Sequence, residues 1–196
     1  MSKGRLEAFS DGVFAIVITL LILDVHLPSG VRVSLAALKP LLPKIAAFVL
    51  SFIIVGVYWV SHHNMLHLIE KVDRSLLWLN LLLLLCVVFI PFPASLLGTD
   101  LSNPLAVRLY GASLMATNVA GTLFWLYGTI GAGLARPEVS REFAWRIVRI
   151  HSTPIAVYGV AVALAAAAHG VSLVLFAAVP LFFILPNRWL RRAISP

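Results

Sequence analysis

The residues able to do chemistry gather at the mouth of the first long apolar run. The segment Arg5-Leu6-Glu7-Ala8-Phe9-Ser10-Asp11-Gly12 passes without a break into Val13 to Leu23, so a guanidinium, a hydroxyl and a carboxylate sit where unpaired charge is costly. Such groups form an ion-paired, hydrogen-bonded network, or they line a path for ions or protons. Further along, His62, His63 and Asn80 stand near the ends of other apolar runs and can supply donors and acceptors to the same network. A metal or haem centre is the other chemistry to weigh, with His62, His63, His67, His151 and His169 as ligands. Adjacent histidines diverge by about 100° on a helix, and His169 falls on the opposite side of the membrane from the other four. Such a centre is disfavoured, and no cofactor is expected.

The elements that hold these groups must be membrane helices. Hydrophobic residues make up 61% of the 196 and charged residues 12%, with a mean hydropathy of +0.99. A water-soluble domain of that size has too little interior to hide so much apolar surface. Apolar runs of about 18 residues or more, each long enough to cross a hydrocarbon core of about 30 Å, recur along the chain. They predict six spans, at 8–27, 41–64, 75–98, 105–134, 143–168 and 170–189. The fold class is therefore all-α, a polytopic membrane protein built as one six-helix domain over residues 1–196. The fourth and fifth runs exceed the minimum and are expected to tilt or project past the bilayer.

An even number of spans puts both termini on one side. Of the 15 Lys and Arg, only Arg32, Lys39, Lys44 and Arg108 fall on the opposite side. The positive-inside rule then places both termini in the cytoplasm, with the cell membrane as the location. The net charge of +7 reads as topology and lipid-headgroup contact, because the basic residues are scattered over helix ends and form no patch for nucleic acid. Lys3 and Arg5 imitate the start of a secretory signal, but Ser10 and Asp11 interrupt its apolar part and no small-x-small site follows, so an uncleaved first span is expected. Cys86 is the single cysteine, which rules out an intrachain disulfide. Asp73 is a candidate cap for the third helix, and Pro91-Phe92-Pro93 breaks or kinks that helix near its outer end.

Three consecutive antiparallel spans bring the polar groups to one depth. At a rise of about 1.5 Å per residue, Asp11 and Asn80 each lie about 9 Å inward of helix starts near Arg5 and Arg74, level with Trp59, His62 and His63 at the inner end of the second span. In that layer Asp11 can accept from Arg5 or from a histidine, while Ser10 and Asn80 satisfy what remains. The layer is either a clamp between helices, a common use of polar residues in membranes, or the device that holds the first helix at the angle its function requires. Beyond it, Gly12, Ile16, Thr19 and Leu23 recur at spacings of four, three and four, with Leu20 beside them. This uncharged stripe with one hydroxyl faces lipid, packs on a neighbour or lines a pore, and Thr19 can bond back to its own helix carbonyl.

Arg5-x-x-x-Phe9-Ser10-Asp11, followed by Ala15-Ile16-Val17-Ile18-Thr19-Leu20-Leu21-Ile22-Leu23-Asp24, resembles the first helix of the endolysosomal potassium channel family, transmembrane protein 175, and its prokaryotic relatives. Trp59-x-x-His62-His63, Val72-Asp73, Leu79-Asn80 and Pro91-Phe92-Pro93 extend the likeness over the first half of the chain, and spans four to six carry no recognised motif. The resemblance implies a homotetramer of six-span subunits in membrane lipid. It implies a potassium-preferring cation channel whose first helices surround a central axis, with potassium ions as the permeant species and protons as a further one. By position it makes Ile16 the hydrophobic constriction, Thr19 the hydroxyl layer of potassium preference, and Leu23 a further apolar ring, with Leu20 alongside. It assigns Arg5, Phe9, Ser10, Asp11, His62, His63 and Asn80 to an interhelical network. No Thr-Val-Gly-Tyr-Gly segment occurs, so selection by rings of carbonyls is not available in its familiar form. Ala94 departs from the family pattern, where a threonine is common.

A proton- or ion-coupled transporter is the rival reading, since intramembrane Arg, Asp and His also build relays. It calls for inverted repeats and helices broken at mid-membrane, and neither is legible here. An enzyme is not expected.

Overall fold

The computed structural model describes residues 2–185, in which the regular structure is helical apart from one isolated bridge between Ile69 and Ala135. Helix α1 runs over Lys3–Leu20 and tightens into a 3-10 turn at Leu21–Asp24. It starts earlier than the predicted 8–27, so Arg5, Ser10 and Asp11 are already helical and their directions are fixed by the helical period. After a loop comes α2, Leu35–Leu38, capped by the Ser34 hydroxyl. Its 3-10 extension Lys39–Leu41 leads into α3, Leu42–Leu68. Lys44 on α3 holds the C-terminal end of α1, with Nζ 3.4 Å from an Asp24 carboxylate oxygen and 3.3 Å from the Asp24 carbonyl.

Asp73 caps α4, Arg74–Phe89, accepting from the Leu76 amide at 2.8 Å. The Pro91-Phe92-Pro93 element bends this span without ending it. Ile90 keeps helical dihedrals, and Pro91 and Pro93 fall in the first turn of α5, Pro91–Thr99, where a missing N–H costs little. Asn103 and Pro104 start α6, Pro104–Leu126, which unwinds through a π turn at Tyr127–Gly131. Ser140 caps α7, Arg141–Leu164. The chain then turns into α8, His169–Ile184, so the apolar run predicted to 168 ends sooner, and the end of the predicted sixth span lies outside the described residues. The carbonyl of Ala161, near the end of α7, is taken up by the Ser172 hydroxyl at 2.7 Å.

Lys3–Asp24, Leu35–Leu68, Arg74–Thr99 and Arg141–Leu164 are each long and apolar enough to cross a membrane, and His169–Ile184 is a shorter apolar helix. Helix α6 buries about half of its residues inside the bundle and leaves Leu105, Leu109, Val119 and Leu123 exposed. Val107, Tyr110, Leu114, Thr117, Phe124 and Trp125 along it are all buried, against α4, α5, α7 and α8. Gly111 makes that packing possible, since a Cβ there would stand 2.7 Å from Val162 Cγ2 and 2.8 Å from Phe176 Cζ. One apolar core around Phe14, Leu83, Tyr110 and Phe176 fills the part of the bundle toward the C-terminal end of α1. A second, around Leu6, Leu66, Phe124, Trp125 and Phe143, fills the part toward the N-terminal end of α1. At the end of the bundle that holds the start of α1, the α3–α4 connection pairs with the segment before α7, the Arg136 amide donating to the Leu68 carbonyl at 2.9 Å and the Glu70 amide to Leu134 at 2.8 Å.

Candidate functional site

Helix α1 divides cleanly into two faces. Leu6, Ser10, Phe14, Val17 and Leu21, at spacings of four, four, three and four, are buried against α3 and α4. The other face carries Arg5, Phe9, Gly12, Ile16, Thr19, Leu20 and Leu23, all exposed in the single chain. Ile16 is 60% and Leu23 67% exposed, high values for large apolar residues on one stripe. Thr19 Oγ donates to the Ile16 carbonyl at 2.8 Å. Its proton is thus spent inside the helix, and what the hydroxyl offers outward is oxygen lone pairs.

On the buried face, α1, α3 and α4 meet through a chain of three side chains. Asn80 Nδ2 donates to Ser10 Oγ at 3.1 Å, and His62 Nε2 lies 2.8 Å from Asn80 Oδ1. All three are essentially inaccessible, with Ser10 and Asn80 at 0% and His62 at 1% exposure. The His62 ring lies between Phe14 and Phe124, with centroids 5.5 and 5.7 Å away.

The remaining members of the sequence-suggested network lie elsewhere. Asp11 accepts from Trp59 Nε1 at 2.9 Å, and His63 packs beside the same indole at 6.1 Å between centroids. Within the chain Arg5 is no partner of Asp11. Six residues of helix rotate a side chain by about 600°, leaving the two about 120° apart around α1. Arg5 forms no ion pair among the described residues, and it shares its exposed face with Phe9. The neighbours His62 and His63 separate for the same reason, one pointing into the bundle and the other out.

Sequence reasoning missed several links. Ser51 and Tyr110 pair their hydroxyls at 2.9 Å. Asn118 Nδ2 donates to Tyr58 Oη at 2.8 Å. Tyr127 Oη donates to the second oxygen of the capping Asp73 at 2.6 Å. That bond, followed by the Leu76 amide, holds the Asp73 carboxyl below the usual carboxylate range. The legible signal was a polar side chain inside an apolar run, which must find a partner, but nothing in the spacing says which. Among the described residues no three of His, Cys, Asp and Glu come together as a metal-ligand group.

Residues 5–91 match the profile of a family described as endosomal/lysosomal potassium channel TMEM175. A potassium channel of Chryseobacterium is 44% identical over 125 residues, a match that spans 63% of this chain and 63% of that relative. A potassium channel of Streptomyces collinus is 40% identical over 154 residues, 76% of this chain and 74% of that one. The fold is similar to the crystal structure of a lysosomal potassium-selective channel TMEM175 homolog from Chamaesiphon minutus, with a TM-score of 0.82, 30% identity and 98% of each chain covered.

Proposed function

The chain belongs to the TMEM175 family, and on that premise we propose that it is a potassium-preferring cation channel of the cell membrane, assembled from four copies around a shared axis. The family is one of ion channels, and the chain is a multi-pass membrane protein and not an enzyme. The observation that carries the reading is the outward stripe of α1, uncharged from Gly12 to Leu23 and interrupted by a single hydroxyl. One such stripe cannot enclose a path, but four brought together can. Ile16 then forms an apolar neck that resists wetting when narrow, and conduction requires it to widen. Four Thr19 hydroxyls lie one turn outward. With their protons already committed to Ile16 carbonyls, they present lone pairs that replace part of a potassium ion's water shell. Leu20 and Leu23 continue the apolar lining.

The buried Ser10, Asn80 and His62 chain supports this arrangement by setting the rotation of α1, so that the stripe points away from the subunit's own core. Arg5, Phe9, Asp11 and His63, exposed near the inner end, are positioned to meet neighbouring subunits or solvent. Both termini face the cytoplasm in this reading, with Lys71, Arg74, Arg136 and Arg141 at the same end. The exposed apolar residues of the outer helices, Trp78, Leu85, Phe89 and Val174 among them, face membrane lipid. Against a transporter stands the continuity of α1 from Lys3 to Leu20, with no unwound segment at mid-span to hold a substrate.

A flux assay on purified protein in liposomes, under potassium, sodium and proton gradients, tests the reading. Non-saturating potassium flux exceeding sodium flux is expected. Saturation with strict coupling to a second ion would replace the channel by a carrier.

A further inference from the structure

Beside His62, α3 packs against α6, α7 and α8 around a cavity of about 40 Å³, with Phe14 of α1 and Leu83 of α4 completing its wall. Its polar lining is Tyr58, Ser61, His62, Thr117, Asn118, His151 and Tyr158, the Thr117 hydroxyl already donating to the Ser113 carbonyl. The cavity plays no part in the proposed ion path. Its chemistry is set by the tautomer of His62. Asn80 gives an N–H of Nδ2 to Ser10, so its Oδ1 is the acceptor facing His62, and His62 Nε2 must carry the proton. In the neutral ring Nδ1 is then a bare acceptor. It is buried and bonds to no protein atom.

A buried acceptor left without a donor is costly. A water needs about 10–15 Å³ and two to four polar partners, so this cavity has room for roughly two or three. The partners are present in Nδ1, the Ser61 hydroxyl and the Tyr58 and Tyr158 phenols. There is also a way in. Val57, Ser61, Met65, His151 and Phe183 line both the cavity and a wider groove of about 870 Å³ between α3 and α7. Asn64 and His67 line that groove. Tyr58, Ser61, Asn64 and His67 thus recur at every third position of α3, a polar stripe leading from the α3–α4 end of the bundle to the cavity.

We propose that each subunit contains a hydrated proton-exchange site in which water enters past Ser61 and His151 and donates to His62 Nδ1. A proton passed from that water binds at Nδ1 and makes an imidazolium, while a proton from the bulk restores the water. The Nε2 bond to Asn80 need not break. The titratable groups around His62 are Glu7 and Asp11 on α1, Tyr58 and His63 on α3, and His151 and Tyr158 on α7. Asn80 and Leu83 from α4, Asn118 and Phe124 from α6 and Phe183 from α8 complete its surroundings.

X-ray radiolysis of the full chain in nanodiscs tests the hydration, because hydroxyl radicals made from bound water oxidise buried side chains only where water touches them. His62 and Tyr158, each 1% exposed, are expected to be labelled, whereas Phe176, equally buried but outside the cavity lining, is not. Ser61→Leu should fill the cavity and abolish the label at both while exposed His63 keeps it. If that variant does not fold, the wild-type pattern alone decides. Labelling of His62 and Tyr158 no greater than that of Phe176 would overturn the proposal. Deuterium exchange at the imidazole C2–H tests the proton step. It should follow pH at His62 in the wild type, and a His62 C2–H that does not exchange across the titration would sink the proton-exchange assignment.

Discussion

The carboxylate of Asp11 takes its hydrogen bond from the indole of Trp59, 2.9 Å away on α3, and not from Arg5 on its own helix. The bond ties α1 to α3 at the edge of the subunit, beside the buried Ser10, Asn80 and His62 chain. Trp59→Phe keeps the ring and removes the donor, so it should lower thermal stability by about 1 kcal/mol, the scale of a charge-assisted bond that is partly solvated. In a double-mutant cycle with Asp11→Asn the two should couple by about 0.5 kcal/mol or more. Arg5→Ala in the same assay should couple to Asp11→Asn by nothing measurable.

Asn80 bonds in two directions, to Ser10 and to His62, which fixes an order of effects. Asn80→Leu should cost most, about 2–3 kcal/mol, because it leaves the buried Nε2–H of His62 without an acceptor and Ser10 without its partner. Ser10→Ala should cost least, near 1 kcal/mol, since Asn80 keeps its bond to His62. Denaturant unfolding of the two single variants ranks them. Equal losses from Ser10→Ala and Asn80→Leu would mean that Asn80 is not the hub.

Gly111 leaves no room for a side chain between α6 and the α7–α8 pair. Gly111→Ala would press a methyl onto Val162 and the Phe176 ring, at distances where real Cβ atoms are not found. Overpacking of this kind costs about 1–3 kcal/mol. Calorimetry should show that loss, whereas Gly12→Ala, with nothing within 4 Å in the chain, should leave subunit stability nearly unchanged.

Tyr127 donates to Asp73 at the start of α4 and holds its carboxyl low. A group depressed in the folded state adds stability that is present above the unfolded carboxylate range and is lost as pH falls through the folded value. Tyr127→Phe removes the larger cause, so the acid-unfolding midpoint should move to higher pH. An unchanged midpoint would assign the depression to the backbone amides at the start of α4.

The proposed neck and hydroxyl layer are separable. Ile16→Asn should wet the constriction and raise current, because a polar ring lowers the barrier that a dry ring imposes. Thr19→Ala should keep conduction and reduce the preference for potassium over sodium. Bi-ionic recordings measure both, and a Thr19→Ala channel with an unchanged reversal potential would eliminate the hydroxyl layer while leaving the neck standing.

The features legible along the chain are those set by contacts between near neighbours. Apolar runs gave the helices to within a few residues, Asp73 stands as a helix cap, and a spacing of four, three and four separated Ile16, Thr19 and Leu23 from Ser10, Phe14 and Val17. Backbone hydrogen bonding is periodic, so the face a residue occupies follows from its position. Choosing a partner on another helix is a different matter. That Asp11 meets Trp59, that His62 turns inward while His63 turns out, and that Tyr58 finds Asn118 depend on how far each helix is rotated about its axis and how deep it sits. Those values come from packing glycines such as Gly111 and the tilted ring contacts of Phe14, His62 and Phe124 across several helices at once. Helix α6 shows the same division. Its residues read as one more span, and only the packed bundle decided that its Tyr110, Thr117, Phe124 and Trp125 are buried while Leu105 and Leu123 stay exposed.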